Sequence, residues 1–396
     1  MASLGPDAVV GVVGAGAMGS GIAQVAAAAG HRVLLRDVNE DAGRRGKLSI
    51  GKSLDAQVAK QKLTASAAAE ILDRVTVVPD GAGKPVSLAT CGIVIEAIIE
   101  NLDAKQRTFG ELEDVVGAGC VLATNTSSLS VTAIAEACAR PGRVLGVHFF
   151  NPPVILPLVE IVPGRATSTD VTASARALIQ SWGKTTVLAS DTPGFIVNRI
   201  ARPFYGEAIR IYEDGIADFA TIDWAMRDLG GFRMGPFELM DFIGNDINFA
   251  TTTAVFEATG FDMRYQPSIT QKKLVDAGSL GKKTGRGFYE YGGGAPRPDP
   301  TKDEPLGRRI VDRILAMLIN EAADAVHYGI GSPSDVDLAM TKGVNYPKGL
   351  LAWGNEIGLD NVLRSIELLR TEHQEERYRP SPLLEQMVRE GRRFHQ

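Results

Sequence analysis

Two ionisable side chains near the middle of the chain have types and a spacing suited to acid–base chemistry. His148 lies near the end of the β-branched run "RVLGVHF", and Glu160 follows twelve residues later inside the apolar run "PLVEIVP". A neutral histidine can accept a proton near pH 7, and a carboxylate on its second ring nitrogen would orient the ring and stabilise its protonated form. A lone histidine is more often structural, so the pair is a catalytic hypothesis only if the chain also supplies a cofactor and a substrate.

The composition narrows the class of protein. A chain of 396 residues is too long for one core and predicts two or three domains. A hydrophobic content of 44%, a charged content of 22% and a net charge of −5 indicate a globular protein whose main partner is not nucleic acid. No apolar run approaches the roughly 18 residues that span a membrane, and we expect no signal peptide before the first strand near Val9. The scattered cysteines, which lack metal-like spacing and fit a reducing compartment without a disulfide framework, are Cys91, Cys120 and Cys138. We therefore expect a cytoplasmic protein without a metal site.

The first half of the chain alternates short β-branched runs with helical patterns. This alternation predicts a mostly parallel sheet wound with helices, in a domain of residues 1–190. Between the second and third strand candidates lies an insertion of about residues 40–72, in which Ile50, Leu54 and Val58 recur at every fourth position. That spacing predicts a helical hairpin that projects from the sheet.

The second half of the chain has helical patterns to its end and contains an internal repeat. The segment "EAIRIYEDGIADFATIDWAM" (207–226) aligns without gaps to "EAADAVHYGIGSPSDVDLAM" (321–340), an offset of 321 − 207 = 114 residues. A Gly/Pro-rich stretch, residues 291–305, marks a linker between the copies. We therefore predict two tandem all-α domains, residues 191–295 and a degenerate second copy at 300–396.

The segment "GVVGAGAMGSGIAQ" places a G-x-G-x-x-G pattern where a strand becomes a helix. Its glycines permit a tight turn, close approach of a pyrophosphate and close helix–strand packing, while the helix N-terminus supplies amides. Asp37, at the end of the second strand, can accept hydrogen bonds from the ribose hydroxyls of NAD and would repel the 2′-phosphate of NADP, although Arg36 and Arg44 leave NADP open. The predicted cofactor-binding residues of this segment are Gly14, Gly16, Ala17, Met18 and Gly19.

Two further motifs carry polar side chains whose role the residues alone leave open. "TNTSSLS" (124–130) follows the fifth strand candidate, at the sheet edge where ligands bind in doubly wound folds, but it also suits a polar turn that caps a helix. "DTPGFIVNRI" (191–200) opens the helical part and places Asn198 among apolar neighbours. Asn198 could serve a site or simply meet a domain interface.

Taken together, the motifs resemble those of the L-3-hydroxyacyl-CoA dehydrogenase family. The resemblance covers residues 8–291, the helical duplicate extends it to the C-terminus, and several motifs in this order are far more specific than any one alone. The elements that carry it are "GAGAMGSGIAQ", "IEAIIENLDAK", "TNTSSL", "HFFNPP", "LVEIVPG", "DTPGFIVNR", "MGPFELMDFIG" and "GKKTGRGFY".

The resemblance implies a Rossmann-type domain, NAD as cofactor, an acyl-CoA thioester as substrate and a role in fatty acid β-oxidation. It implies that His148 is the catalytic base, that Glu160 is the carboxylate paired with it, and that Ser127 and Asn198 hold the substrate's oxygen atoms. The further implied contacts are Asp37, Glu100, Lys105 and Asn125 to NAD, and Ser53 and Lys60 to coenzyme A.

Other functions remain possible at this point. A dehydrogenase of a free hydroxy acid or sugar acid would use the same scaffold, and "NPPVILPLVEIVPG" has some of that character. A crystallin-like protein that binds NAD without catalysis is a second alternative. A hydroxyacid dehydrogenase with a catalytic lysine fits less well, because Asn198 stands where that lysine is expected. The sequence leaves open the acyl chain length and the choice between a homodimer and a monomer whose duplicate domain replaces the partner.

Overall fold

The chain forms two compact units, residues 1–192 and 193–396. The structure, a computed structural model, describes residues 4–5, 7–79, 86–292, 294 and 296–395.

The first unit is built on one eight-stranded sheet with the order β3-β2-β1-β4-β5-β6-β7-β8. All neighbouring strands are parallel except β6 and β7, which are antiparallel. The reversal of strand order between β1 and β4 creates the crevice in which doubly wound sheets bind ligands. The strands are β1 Val10–Val13, β2 Val33–Arg36, β3 Val75–Val77, β4 Ile93–Glu96, β5 Val121–Thr124, β6 Val144–Phe149, β7 Leu158–Pro163 and β8 Thr185–Leu188.

The sheet confirms the predicted α/β class and explains the strand sequences. The central strands are buried throughout, because helices cover both faces of a parallel sheet, and most of their residues are accordingly β-branched or aliphatic. Seven strands fall on the β-branched and apolar runs that predict strands in the sequence: "VVGVVG", "HRVLLRD", "RVTVVP", "GIVIEA", "CVLATN", "RVLGVHF" and "PLVEIVP". The eighth, Thr185–Leu188, was not predicted, and it adds to the sheet next to β7.

Among the described residues of this unit, six α-helices connect the strands. The first two helices after β2 occupy the insertion predicted as a hairpin, and side-chain caps start both of them: Asn39 Oδ1 accepts from Ala42 N at 2.9 Å, and Thr64 Oγ1 accepts from Ala67 N at 3.2 Å. The helices of the first unit are α1 Ala17–Ala28, α2 Glu40–Ala59, α3 Ala65–Asp73, α4 Leu102–Val115, α5 Val131–Ala135 and α6 Thr169–Ser181.

The second unit is helical, and the predicted linker runs between its two halves. Gly293 and Ala295 of that linker lie outside the described residues. The first half contains α7 Val197–Ile200, α8 Arg202–Glu213, α9 Phe219–Trp224, α10 Pro236–Ile243, α11 Asn245–Ala258 and α12 Ile269–Asp276. The second half contains α13 Glu304–His327, α14 Pro333–Gly343, α15 Leu350–Ile357, α16 Leu359–His373 and α17 Pro382–Glu390.

The two halves agree in detail at the offset of 114 residues. Helices α10 and α15 begin and end at equivalent residues, as 236 + 114 = 350 and 243 + 114 = 357. Asp223 caps α10 by accepting hydrogen bonds from the N–H groups of its second and third residues, and Asp337 caps α15 in the same way. Gly244 and Gly358, which end these helices, share nearly the same backbone angles, φ 106° and 94°. These matches support the predicted duplication.

Candidate active site

The glycine-rich turn has the local geometry that its sequence predicts. Gly14 ends β1 with φ 98°, and a Cβ there would lie 2.5 Å from Ala97 O. A Cβ on Gly19 would lie 1.8 Å from Gly14 O, so only glycine lets α1 pack this closely. Gly16, the N-cap of α1, faces open space, since a Cβ at this position would meet no atom within 4 Å. The free helix N-terminus, which begins with Ala17 and Met18, is therefore accessible to an anionic group such as a pyrophosphate.

Asp37 stands beside this turn, directly after β2. Its Oδ2 accepts a hydrogen bond from Ala15 N at 2.5 Å, which fixes the carboxylate against the glycine loop. Arg36 and Arg44 are the two arginines that could favour NADP by binding its 2′-phosphate. Arg36 is buried at the end of β2, and Nη2 of Arg44 lies 2.6 Å from Glu40 Oε1. The charge of Arg44 is thus already paired with a carboxylate.

His148 and Glu160 face each other across two antiparallel strands. They are direct partners in the β6–β7 register, and His148 Nδ1 lies 2.6 Å from Glu160 Oε2. Both side chains are buried, and the ring of Phe150 lies 4.5 Å from the imidazole, centroid to centroid. A carboxylate this close holds the ring in one orientation and favours the proton on Nδ1.

Asn125 ties the end of β5 to the strand that carries His148. Its Oδ1 accepts a hydrogen bond from Phe149 N at 2.8 Å, and its own N–H donates to Glu96 O at 2.7 Å. The predicted NAD contact of Asn125 stays a prediction. What the structure places here is a link between the loop of Ser127 and the strand of the candidate catalytic histidine.

Glu100 organises the loop that contains Ser127. Its Oε1 accepts hydrogen bonds from Thr126 Oγ1 at 2.6 Å, from Ser127 N at 2.9 Å and from Ser128 Oγ at 2.9 Å. Burial acts to raise the pKa of the Glu100 carboxyl, but these hydrogen bonds and the charge of Lys105 outweigh it and lower the pKa below its ordinary value. Glu100 therefore stays ionised and holds the partly exposed Ser127 in place.

Lys105, on α4, is buried between two carboxylates. Its Nζ lies 2.7 Å from Glu96 Oε1 and 3.4 Å from Glu100 Oε2. The other oxygen of Glu96 accepts a hydrogen bond from Thr124 Oγ1 at 2.7 Å. Glu96 was not predicted as a site residue. A glutamate at the end of the otherwise apolar strand in "GIVIEA" could have indicated it. Lys105 links the ends of β4 and β5 through these carboxylates, and its contact with NAD remains a prediction.

Asp191 is a second organising residue, which opens the motif "DTPGFIVNRI" but was not predicted to serve the site. Its carboxylate accepts hydrogen bonds from Val131 N at 2.8 Å, Thr132 N at 2.7 Å and Ser130 Oγ at 2.9 Å. It therefore caps α5 and fixes the far end of the loop that begins at Asn125.

Asn198 lies in the second unit, on the four-residue helix α7. Gly194 and Phe195 precede it with positive φ angles of 76° and 47°, and the main-chain oxygen of Asn198 accepts a hydrogen bond from Arg202 Nε at 2.7 Å. Phe195 in this conformation is unusual for a residue with a Cβ and marks a constrained turn.

The projecting hairpin presents the two residues implied to contact coenzyme A. Ser53 lies within α2 and Lys60 is the residue that caps its C-terminus; they are seven residues apart, about two helical turns, and so lie on the same side of the helix. Ser53 is half-buried and Lys60 is exposed at the C-terminal end of the helix. The described helices include none long and apolar enough to span a bilayer, and the described residues hold no group of three metal-ligating side chains.

An α/β domain with a glycine-rich dinucleotide-binding turn and a buried histidine–carboxylate pair is typical of an oxidoreductase of the dehydrogenase class. Comparison with known proteins specifies the class further. The 3-hydroxyacyl-CoA dehydrogenase NAD-binding domain matches residues 9–192, and the 3-hydroxyacyl-CoA dehydrogenase C-terminal domain matches residues 194–291 and 310–394. The chain belongs to the 3-hydroxyacyl-CoA dehydrogenase family.

Individual relatives agree with this assignment. A 3-hydroxyadipyl-CoA dehydrogenase of Escherichia coli K12 is 38% identical over 95% of this chain and 96% of its own length. A 3-hydroxybutyryl-CoA dehydrogenase of Bradyrhizobium diazoefficiens is 40% identical, over 73% of this chain and 97% of its own. The crystal structure of a 3-hydroxybutyryl-CoA dehydrogenase from Escherichia coli K12 matches with a TM-score of 0.91 at 37% identity, covering 96% of this chain and 98% of that one.

These findings confirm the predicted reaction class and cofactor. The protein is an NAD-dependent oxidoreductase that acts on the CH–OH group of 3-hydroxyacyl-CoA. The interpretations as a sugar-acid dehydrogenase, a lysine-dependent hydroxyacid dehydrogenase or a non-catalytic NAD-binding protein are set aside.

Proposed function

We propose that the chain oxidises (S)-3-hydroxyacyl-CoA to 3-oxoacyl-CoA with His148 as the general base. The observation that carries this proposal is the buried His148–Glu160 pair, 2.6 Å apart, at the strand ends of an NAD-binding domain. Bound NAD supplies the hydride acceptor. The chain must supply a base for the hydroxyl proton and a scaffold that orients the alcohol.

The proton step follows from the tautomer that Glu160 selects. With the Nδ1 proton held toward Glu160 Oε2, the lone pair of the neutral ring is on Nε2 of His148. Nε2 takes the proton of the substrate's 3-hydroxyl while the hydride leaves C3, so the C–O single bond becomes a carbonyl. The charge of Glu160 then stabilises the imidazolium.

Ser127 and Asn198 orient the substrate in this proposal. A serine hydroxyl can donate to the 3-oxygen and an asparagine amide can donate to the thioester carbonyl. Ser127 suits such a role because its main-chain N–H donates a hydrogen bond to Glu100 Oε1 at 2.9 Å, which holds the backbone in place. Its hydroxyl lies at the weaker distance of 3.5 Å from the same carboxylate and can turn to a substrate.

The residues of the glycine loop fit NAD. The space above Gly16 and the free amides of α1 suit a pyrophosphate, and the carboxylate of Asp37 suits ribose hydroxyls. Val38 and Ile99, exposed by 76% and 72%, follow the two strands that flank β1. Exposed aliphatic side chains at these positions suit a flat adenine ring.

For the substrate, we infer a short acyl chain on coenzyme A, held through its nucleotide end by Ser53 and Lys60. The relatives named for 3-hydroxybutyryl-CoA support a short monocarboxylic chain. A dicarboxylic chain is the second candidate, because the relative named 3-hydroxyadipyl-CoA dehydrogenase matches both helical halves of this chain.

We also infer the organisation of the chain. Residues 1–190 form the NAD-binding domain, residues 191–295 the first helical domain, and residues 300–396 a degenerate second copy without an active site of its own. The second copy covers the first as a partner subunit would, so we propose a pseudo-dimeric monomer over a homodimer, located in the cytoplasm.

The decisive experiment measures NAD reduction with a panel of 3-hydroxyacyl-CoA esters of increasing length and 3-hydroxyadipyl-CoA. We expect the highest kcat/KM on a short member, with free 3-hydroxybutyrate a much poorer substrate. A preference for long chains, or equal rates on the free acid, would contradict the proposed substrate.

A further inference from the structure

The two helical halves are joined by two reciprocal buried ion pairs. Arg199 Nε lies 2.9 Å from Glu321 Oε1, and Arg313 Nε lies 3.0 Å from Glu207 Oε2. The pairs are equivalent under the repeat, since 199 + 114 = 313 and 207 + 114 = 321. A contact from i to j that recurs from j to i is the mark of a two-fold interface, here formed within one chain.

The carboxylate of Glu321 has one arginine donor more than its equivalent Glu207, which accepts hydrogen bonds from Arg313 Nε and from the hydroxyl of Tyr378, each at 3.0 Å. Glu321 is fully buried and takes hydrogen bonds from Arg199, from the hydroxyl of Tyr265 and from Arg264 Nη1 at 3.0 Å. Arg264 is in turn fixed by the main-chain oxygen of Arg379 at 2.8 Å. A partner with so little freedom also fixes the side chain of Arg199.

The backbone that carries each arginine differs between the halves. Arg199 is on α7, four residues long, which follows two residues with positive φ. Arg313 stands inside α13, a continuous helix of 24 residues. Helix α7 is held by the burial of Val197 and Ile200, and only Ala201 separates it from α8. Of the two paired arginines, only Arg199 adjoins a residue implied to bind substrate, Asn198.

We propose that Glu321, in the copy without an active site, is a positioning residue for the reaction. By fixing Arg199 it sets the place of the neighbouring Asn198 in the substrate site of the first copy. The inference rests on the proposed role of Asn198. It assigns to the second copy a part in catalysis that its own Asp312, at the position of Asn198, does not have.

The test compares Glu321→Gln with its repeat-equivalent control, Glu207→Gln, in the full-length chain with NAD and 3-hydroxybutyryl-CoA. Both variants remove one buried charge from an Arg–Glu pair, so both should lower Tm. Glu321→Gln should also lower kcat/KM for the acyl-CoA by about 10-fold or more, since a displacement near 1 Å can cost about 10²-fold. The KM for NAD should not change. Glu207→Gln should keep wild-type kcat/KM at a temperature where both are folded.

If Glu321→Gln does not fold, a second matched pair, Arg199→Gln and Arg313→Gln, provides the test. In Arg199→Gln the carboxylate of Glu321 keeps Arg264 and Tyr265 as partners, so we expect this variant to fold. Equal kcat/KM for the two members of the folded pair overturns the proposal. Asn198→Ala is measured alongside. If it leaves kcat/KM unchanged, the proposed role of Asn198 fails, and the inference about Glu321 fails with it. If it lowers kcat/KM while the matched variants agree, the inference about Glu321 alone is wrong.

Discussion

Glu160 stands opposite His148 in the β6–β7 ladder, so the backbone register itself brings Oε2 within 2.6 Å of Nδ1. Side chains on paired strands are positioned more precisely than side chains on loops. The orientation of the imidazole thus depends on main-chain pairing and not on a flexible loop.

We expect His148→Gln to lower kcat by about 10²–10⁴-fold, the usual contribution of a general base, with little change in the Kd of NAD. Glu160→Gln should lose much of the same factor, because the two side chains act as a unit. Steady-state kinetics and NAD titration provide the measurements. His31→Gln is the matched control: His31 is also buried, with its Nδ1 2.9 Å from Ala8 O. His31→Gln should lower stability and leave turnover unchanged. Near-normal turnover of His148→Gln would show that the base is misassigned.

Asp37 should make NAD the preferred cofactor over NADP by about 10-fold or more in kcat/KM, an effect of at least about 1.4 kcal/mol, because its carboxylate opposes a 2′-phosphate. Asp37→Ser should reduce this preference and also weaken NAD binding, since the hydrogen bond to Ala15 N is weakened. Arg44→Ala should alter neither value, because Arg44 is already paired with Glu40. Equal use of both cofactors by the wild-type enzyme would contradict the assignment.

Glu100 should stabilise the Ser127 loop in a pH-dependent way. Its pKa in the folded chain lies below the ordinary value of 4.5, so its stabilising effect is complete above pH 4.5 and is lost as the pH falls through the folded pKa. The difference in unfolding free energy between wild type and Glu100→Gln should therefore be constant from pH 7 to about pH 4.5 and shrink at lower pH. Denaturant titrations at each pH measure it. A difference that grew on acidification would refute the role of the charge.

The equivalent residues Asn198 and Asp312 should behave in opposite ways. Asn198→Ala should lower kcat/KM by about 10²-fold or more, because the thioester carbonyl loses the donor that positions the substrate, and a misplacement near 1 Å costs about 10²-fold. Asp312→Ala should leave it unchanged, because Asp312 is an exposed residue of α13 that cannot donate as an amide does. Binding should remain one NAD per chain in both variants. Loss of activity in Asp312→Ala would indicate that the second copy has a site of its own.

Residue patterns predicted most of the architecture. The glycine spacing anticipates the turn at Gly14 and the contact of Gly19, because few other sequences fit a strand that runs so closely into a helix. The 114-residue repeat anticipates equivalent helices in the second unit. Strand β8 was not predicted, because a strand of four residues at the sheet edge has only a weak hydrophobic pattern and directly follows a longer helix.

The support of the site was less predictable than its chemistry. Glu96 contacts Lys105 and Thr124 only because α4 and β5 return to the same sheet edge, and neither distance follows from local sequence. Arg199 and Glu321 are 122 residues apart along the chain. Contacts of this kind depend on tertiary packing, which hydrophobic periodicity and secondary-structure propensity do not specify.

The fused arrangement of the two helical halves has a genetic consequence. In a pair of identical subunits each interface contact occurs twice, and a single codon change alters both. Here the reciprocal pairs Arg199–Glu321 and Arg313–Glu207 are encoded by four independent codons. Selection can therefore maintain one pair for its effect on substrate while the other drifts within the limits of stability. A chain of this kind can acquire different properties on its two sides, an option closed to a symmetric dimer.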